Sequence, residues 1–330
     1  MVLMYASHLA DQGHEVSIEA STIDTIFIVN PKILIIPIRP KGQMVTMLSA
    51  FFKKRYAEVV IADIIPLAFA LSFRNRKRVL YFAQDYNVTH YANVFMRFLV
   101  NILNHIGLNI LKIRTITVSE ELSQILSRQY KANIVRIIPN GVDASQFYFE
   151  PSPALKAEKN SKKSILILSR SDPRKGFDEA RRIILNVKAS CAGLFEIWTV
   201  GESAEGKFPG IPHRDFGYVP EATLRAIFSS ADLFLYPSHS EGYGLMVIEA
   251  FACKCPVVTT VAIPYAVHEV NAMVSNIGDI DSLADHVRRL LVSSEPAQTI
   301  IANGYAYARG HTLERAKGAF ESALKETFVN

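Results

Sequence analysis

Glu241 and Glu249, eight residues apart, bracket Gly242, Tyr243 and Gly244 in the densest cluster of chemistry-bearing residues in the chain. Glycines placed directly before an apolar helical run gather unpaired backbone N–H groups and the positive end of a helix dipole, a setting that suits an anionic phosphate. Leu245 and Met246 would present the first of those amides. Glu241 falls in the loop, and Glu249 falls about one turn inside the helix, where a carboxylate among apolar neighbours is costly unless something satisfies it. Taken alone, the two are equally readable as a loop glutamate and a helix-surface glutamate. Arg170 and Lys175 follow the apolar run 164–168, and Gly176 comes before the next helical pattern. Open α/β sheets bind ligands beyond the carboxyl ends of their strands, and two cations there can neutralise phosphate charge. Two basic residues on a surface loop are the ordinary alternative. Gln84 and Asp85 close another apolar run, 78–82, at a position of the same kind.

The elements that must position these residues read as repeats of a parallel α/β sheet. Residues 233–236 form a strand ended by Pro237, 238–244 a polar turn, 245–252 a buried helix broken before Pro256, and 257–260 the next strand. Upstream, 1–12 have helical spacing with Gly13 as a stop, and a strand begins at 15. Further strands are expected at 25–29, 33–38, 59–62, 78–82 and 114–118, several of them continuous apolar runs suited to burial on both faces. Ser119 caps the helix that follows the last of these. Asn140-Gly141 is a turn signal that Asp143 could brace, and 149–163 show no periodicity. Strands at 164–168 and 195–200, a loop at 213–220, helices at 221–230, from 281 and at 313–328 complete the pattern. The expected fold class is α/β, two Rossmann-like doubly wound domains, with an incomplete first one: 1–150, a linker at 151–163, a second domain at 164–310 and a terminal segment at 311–330.

With 330 residues, 49% of them hydrophobic, the chain is long enough for two cores. Three cysteines, two in Cys253-Lys254-Cys255, offer neither a disulfide framework nor zinc spacing, and read as small buried residues in a reducing compartment. The apolar stretches 59–73 and 95–113 are interrupted by Asp63 and by Arg97, Asn101, Asn104 and His105, so neither reads as a membrane span of about 20 residues. No secretory signal is read at the start, and the expected location is cytoplasmic or peripheral on the inner face of the membrane. Residues 1–150 hold 16 Lys/Arg against 11 Asp/Glu, while 151–330 hold 20 of each. The excess includes Lys53-Lys54-Arg55 after two phenylalanines, and Arg74, Arg76, Lys77 and Arg78. Basic residues beside apolar ones suit an anionic membrane surface, with a solvated face as the plain alternative. No recognised module accompanies them, so nucleic acid is not an expected partner.

The Glu241–Glu249 spacing, with Gly242, Gly244 and Pro256, resembles the two-glutamate signature of family 4 glycosyltransferases, retaining enzymes of the GT-B architecture. The segments HLADQGHEV, TVSEEL and VRIIPNGVDASQF resemble the same family, as do the Arg170–Lys175 spacing and the Gly217-Tyr218-Val219 loop. Two positions depart from it: Lys254 and Ser169 stand where glycine is usual. The family's opening strand and glycine-rich loop are not read before residue 1, so the resemblance leads to the expectation of a shortened start. The resemblance implies that a sugar moves from a nucleoside-diphosphate sugar to a glycan or lipid-linked acceptor, in cell-surface polysaccharide synthesis. It gives Arg170, Lys175 and the amides near Gly244, Leu245 and Met246 to the diphosphate. Glu249 goes to the ribose, Glu241 to the donor sugar, Tyr218 and Val219 to the base, and Gln84 or Asp85 to the acceptor side. It implies that 311–330 brace the first domain. With no Asp-x-Asp motif at a strand end, neither a metal nor another cofactor is expected. A catalytically impaired or non-catalytic donor-binding protein stays open, as does, more remotely, a nucleotide-sugar epimerase.

Overall fold

The computed structural model describes residues 2–21, 29–86, 88, 93–159, 162–293 and 295–328, and the expected strand at 25–29 lies mostly outside them. The chain divides into two compact units, Met1–Pro139 with Arg315–Asn330, and Asn140–Glu314.

The first unit runs α1 (Val2–Asp11), β1 (Ser17–Ala20), β2 (Leu34–Pro37), α2 (Gln43–Phe52), β3 (Val60–Ala62), α3 (Ile65–Asn75), β4 (Val79–Ala83), α4 (Val94–Asn104), β5 (Arg114–Thr117), α5 (Glu120–Tyr130) and β6 (Asn133–Ile137). Its strands pair in parallel as two sheets, β1–β2 and β3-β4-β5-β6. All five residues of β4 are buried, as a strand covered on both faces requires. Ser119 caps α5 by accepting from the Leu122 amide.

In the second unit come α6 (Pro153–Glu158), β7 (Lys163–Ser169), α7 (Phe177–Cys191), β8 (Phe195–Gly201), β9 (His213–Asp215), α8 (Glu221–Ser230), β10 (Leu233–Tyr236), α9 (Leu245–Ala252), β11 (Val257–Thr260), β12 (Met273–Ser275), α10 (Ile280–Val292) and α11 (Glu295–Gly310). The final helix, α12 (Leu313–Phe328), leads back into the first unit. There Phe320 lies against Tyr5 and Phe82, with ring centroids 4.7 and 5.0 Å apart.

The six strands of the second unit are all parallel, in the order β12-β11-β10-β7-β8-β9. Strand order reverses between β7 and β10, so this unit is doubly wound, with its switch point at the loops that follow those two strands. Its core is aliphatic: Ile165, Ile167, Leu233 and Leu235 in the sheet pack with Ile183, Ile184 and Val187 of α7.

Two local readings change. Residues 153–158, read within a structureless linker, form α6, because Pro153 stands in its first turn and Ser152 accepts from the Leu155 amide. Gly141 has no left-handed backbone; its role is close approach. A Cβ there would fall 2.1 Å from the Thr312 carbonyl carbon, where Val142 exchanges backbone hydrogen bonds with His311 and Leu313. Asp143 does brace the segment, accepting from the Ser145 amide and hydroxyl. Lys254 occupies the left-handed region at φ 58°, and its ammonium lies over the rings of Phe149 and Tyr305 at 5.0 and 4.8 Å. Among the described residues no helix is long and apolar enough to cross a membrane.

Gly141→Ala therefore forces two backbones apart, at a cost of about 1–3 kcal/mol. Denaturant melts that leave the midpoint unmoved would contradict this reading of the crossing.

Candidate functional site

The loops that leave β7 and β10 touch backbone to backbone. Gly176, at φ 72°, is so close to Pro237 that a Cβ would fall 2.0 Å from its carbonyl oxygen. The Arg174 carbonyl accepts both the His239 amide, at 2.7 Å, and the Ser238 hydroxyl, at 2.9 Å. A short helical turn, Pro173–Lys175, carries Lys175 into this junction, started by Asp172, which accepts the Arg174 amide. Asp172 also holds the Arg174 side chain at 2.7 Å, and this pairing keeps its carboxyl below the usual range.

Lys175 Nζ donates to Glu241 Oε1 at 2.7 Å. The same oxygen accepts from Ser238 Oγ at 3.0 Å and from the Tyr236 hydroxyl. Burial and the Glu241 charge together push the Tyr236 hydroxyl well above its ordinary pKa, so it remains a donor. Lys175 and Tyr236 fix this oxygen, with the single Ser238 proton shared between it and the Arg174 carbonyl, and among the described residues nothing bonds to the other oxygen. That oxygen stays available to a hydroxyl or to positive charge.

Gly244 begins α9 at φ 87°, and a Cβ there would fall 2.6 Å from Ile263 Cδ1. Tyr265 holds the loop by donating to the Gly244 carbonyl at 2.6 Å. Tyr243 packs on Tyr265 with centroids 4.7 Å apart, Tyr265 stacks on Tyr307 at 4.8 Å, and Tyr307 on His311 at 3.9 Å. Gly242 is buried beside them, while Leu245 and Met246 are half-buried at the start of the helix. The first amides of a helix have no preceding helical carbonyl to bond, so they are donors for an anion.

Glu249 lies on the fifth position of α9, and among the described residues no hydrogen bond or ion pair reaches its carboxyl. Burial, with a smaller push from Glu221, raises its pKa from 4.5 to about 8. Arg170 extends from the end of β7 to Tyr218, donating to its hydroxyl at 2.7 Å with the guanidinium 5.7 Å from the ring centre. Tyr218 is 69% exposed, and half-buried Val219 follows it in the loop between β9 and α8. The loop after β7 is pinned by Glu202, which accepts the Ser171 amide at 2.8 Å and its hydroxyl at 3.1 Å.

The geometry thus joins Lys175 to Glu241 and Arg170 to Tyr218, and leaves Glu249 apart from both pairs. Gln84 and Asp85 follow β4 in the first unit, half-buried. Residues that sequence reasoning passed over are Tyr236 and Ser238, which flank Pro237 and orient Glu241, and Glu202 and Tyr265, which anchor the two loops. The first two stood beside the motif. Tyr265 carries no local signal, because its target lies 21 residues back.

The raised pKa of Glu249 makes a pH prediction. The folded state keeps a proton that the unfolded chain releases above its ordinary value of 4.5, so stability falls as pH rises from there towards about 8. Glu249→Gln lacks this fall and should melt progressively higher than the wild type between about pH 5 and 8. Parallel melting curves across that window would refute it.

Residues 162–293 match the family described as glycosyl transferases group 1. The O-antigen chain mannosyltransferase B of Escherichia coli is 32% identical over 114 residues, covering 34% of this chain and 30% of that protein. The matched stretch is thus about a third of that relative's length. Among solved structures, the sucrose-phosphate synthase of Thermosynechococcus elongatus aligns over 99% of this chain and 92% of its own, with 17% identity and a TM-score of 0.79. Anabaena Alr3699/HepE, solved in complex with UDP and glucose, aligns over 98% and 95%, with 16% identity and a TM-score of 0.72. The chain has the GT-B fold, and over residues 162–293 it is similar to the group 1 glycosyl transferases.

Proposed function

We propose that the protein is a retaining glycosyltransferase that moves a sugar from a nucleoside-diphosphate sugar to a glycan or lipid-linked acceptor. The observation that carries this reading is the Lys175–Glu241 pair of 2.7 Å at the switch point, beside the amide end of α9. Transfer leaves negative charge on the departing diphosphate. Lys175, Arg170 and the first amides of α9 are fixed donors for that charge, and preorganised donors favour the transition state without reorganising. Because these cations supply positive charge directly, the chemistry proposed here needs neither a metal nor another cofactor.

Glu241, held at Oε1, turns its other oxygen to hydroxyls of the donor sugar or to positive charge developing beside it. Glu249 accepts the ribose hydroxyls, and those two donors would favour its charged form over the protonated one. Tyr218 and Val219 offer an edge for the base. Gln84 or Asp85, after β4 of the first unit, would meet the acceptor. The E. coli relative, an O-antigen chain mannosyltransferase, supports a role in cell-surface polysaccharide synthesis. The UDP and glucose of HepE support a nucleotide-sugar donor. The place of work is the cytoplasm or the inner face of the membrane.

Turnover of a panel of UDP- and GDP-sugars, followed by nucleotide release with and without glycan acceptors, tests the assignment. Arg170→Ala and Lys175→Ala should each lower the rate by about 10²–10³ with little change in melting temperature. Rates equal to wild type in both variants would remove the two residues from the site. EDTA should leave the wild-type rate unchanged, and a loss restored by Mg²⁺ or Mn²⁺ would overturn the proposal that protein cations alone serve the diphosphate.

A further inference from the structure

On α2, Met44, Leu48 and Phe52 recur at intervals of four, so they lie along one side of the helix. All three are exposed, Met44 at 77% and Phe52 at 71%. The stripe continues onto α3 through Phe51, whose ring lies 4.9 Å from that of Phe73 and 5.9 Å from that of Phe69. Phe73 is itself 61% exposed. A contiguous aromatic and aliphatic face of this kind is uncommon on a protein that leaves it in water.

Its border is cationic. Lys53 and Arg55 are held by Glu19. Lys54, Arg74, Arg76, Lys77 and Arg78 are exposed, and among the described residues none of them has a carboxylate partner. Lys54 lies over the ring of Tyr56, 5.4 Å from its centre. Tyr56 is 81% exposed. An aromatic ring with a polar tip beside a long cationic side chain is suited to the boundary between acyl chains and headgroups. Glu58 is the one acidic residue in the segments 53–58 and 73–78.

We infer that the α2–α3 face is a membrane-docking surface, whose phenylalanines enter the acyl boundary while Lys54 and the 74–78 cations meet anionic headgroups. The cations select this occupant over a second copy of the chain. A two-fold contact through the face would set the same positive residues against one another. The inference does not depend on the proposed activity, since binding is read without turnover.

Vesicles of phosphatidylcholine, with or without about 30% phosphatidylglycerol, provide the test by flotation and by fluorescence of Phe73→Trp. The chain's single tryptophan, Trp198, is fully buried and gives a constant background. Expected are binding to the anionic vesicles only, a blue shift of the introduced tryptophan, and release by high salt. Phe52→Ser should weaken partitioning about tenfold. Arg76→Ala should weaken it roughly fivefold, about the effect of one cation near an anionic surface. Both positions are exposed, so both variants should melt like the wild type. Equal binding to neutral vesicles, no binding to anionic ones, or unchanged binding in both variants would overturn the proposal. So would sedimentation showing a dimer that Phe52→Ser dissolves.

Discussion

One contact sets the geometry of the loops beyond β7 and β10: the backbone of Gly176 against the carbonyl of Pro237. Register delivers the two loops to the same level, because Ile165 to Ile167 of β7 pair with Leu233 to Leu235 of β10. Beyond the strands only a residue without a Cβ lets the chains cross so closely. Lys175 stands one residue before the crossing and Ser238 one residue after it, so the cation and the hydroxyl that meet Glu241 are placed by backbone rather than by long side chains. On the far side of the loop Tyr265 fixes the Gly244 carbonyl, so the segment between Pro237 and α9 is tied at both ends. A charged pair on so short a leash needs little side-chain ordering when a ligand arrives.

The second unit was largely legible in the sequence because its strands are short apolar runs between strong stop signals. Pro237, Gly244 and Pro256 punctuate a stretch whose observed elements, β10, α9 and β11, coincide with the expected ones. Strand order was not legible. Nothing local states that β10 lies beside β7 rather than β8, although the Lys175–Glu241 contact, 66 residues apart in sequence, depends on it. Gly141 shows the opposite failure. Asn-Gly is a turn signal by composition, yet this glycine serves a chain that returns from 312. The α6 helix had its signals, Ser152 and Pro153, but it is six residues long and too short for periodicity to register. In α11 the pattern was not assigned, since polar and small residues dilute its apolar side.

The first unit combines two uses of aromatic residues. Tyr5, Phe82 and Phe320 meet edge to face and tilted in its core, joining the first helix, a central strand and the last helix. Burial lifts the Tyr5 hydroxyl far above its ordinary range, so it stays protonated and the ring enters the core uncharged. The phenylalanines of α2 and α3 make the same ring contacts without the cover. The difference lies in position along each helix and not in residue type, which is why hydrophobic content alone could not separate core from surface here.

Lys254 ties three positions of the second unit together. A left-handed lysine is disfavoured where glycine is at ease, but here its ammonium rests between Phe149 and Tyr305. The three positions are therefore mutationally coupled. With both rings in place the lysine is tolerated, and Lys254→Gly would leave them without their cation. Changing either ring first leaves the strained backbone uncompensated. Substitutions at 149, 254 and 305 should therefore be read together rather than one at a time.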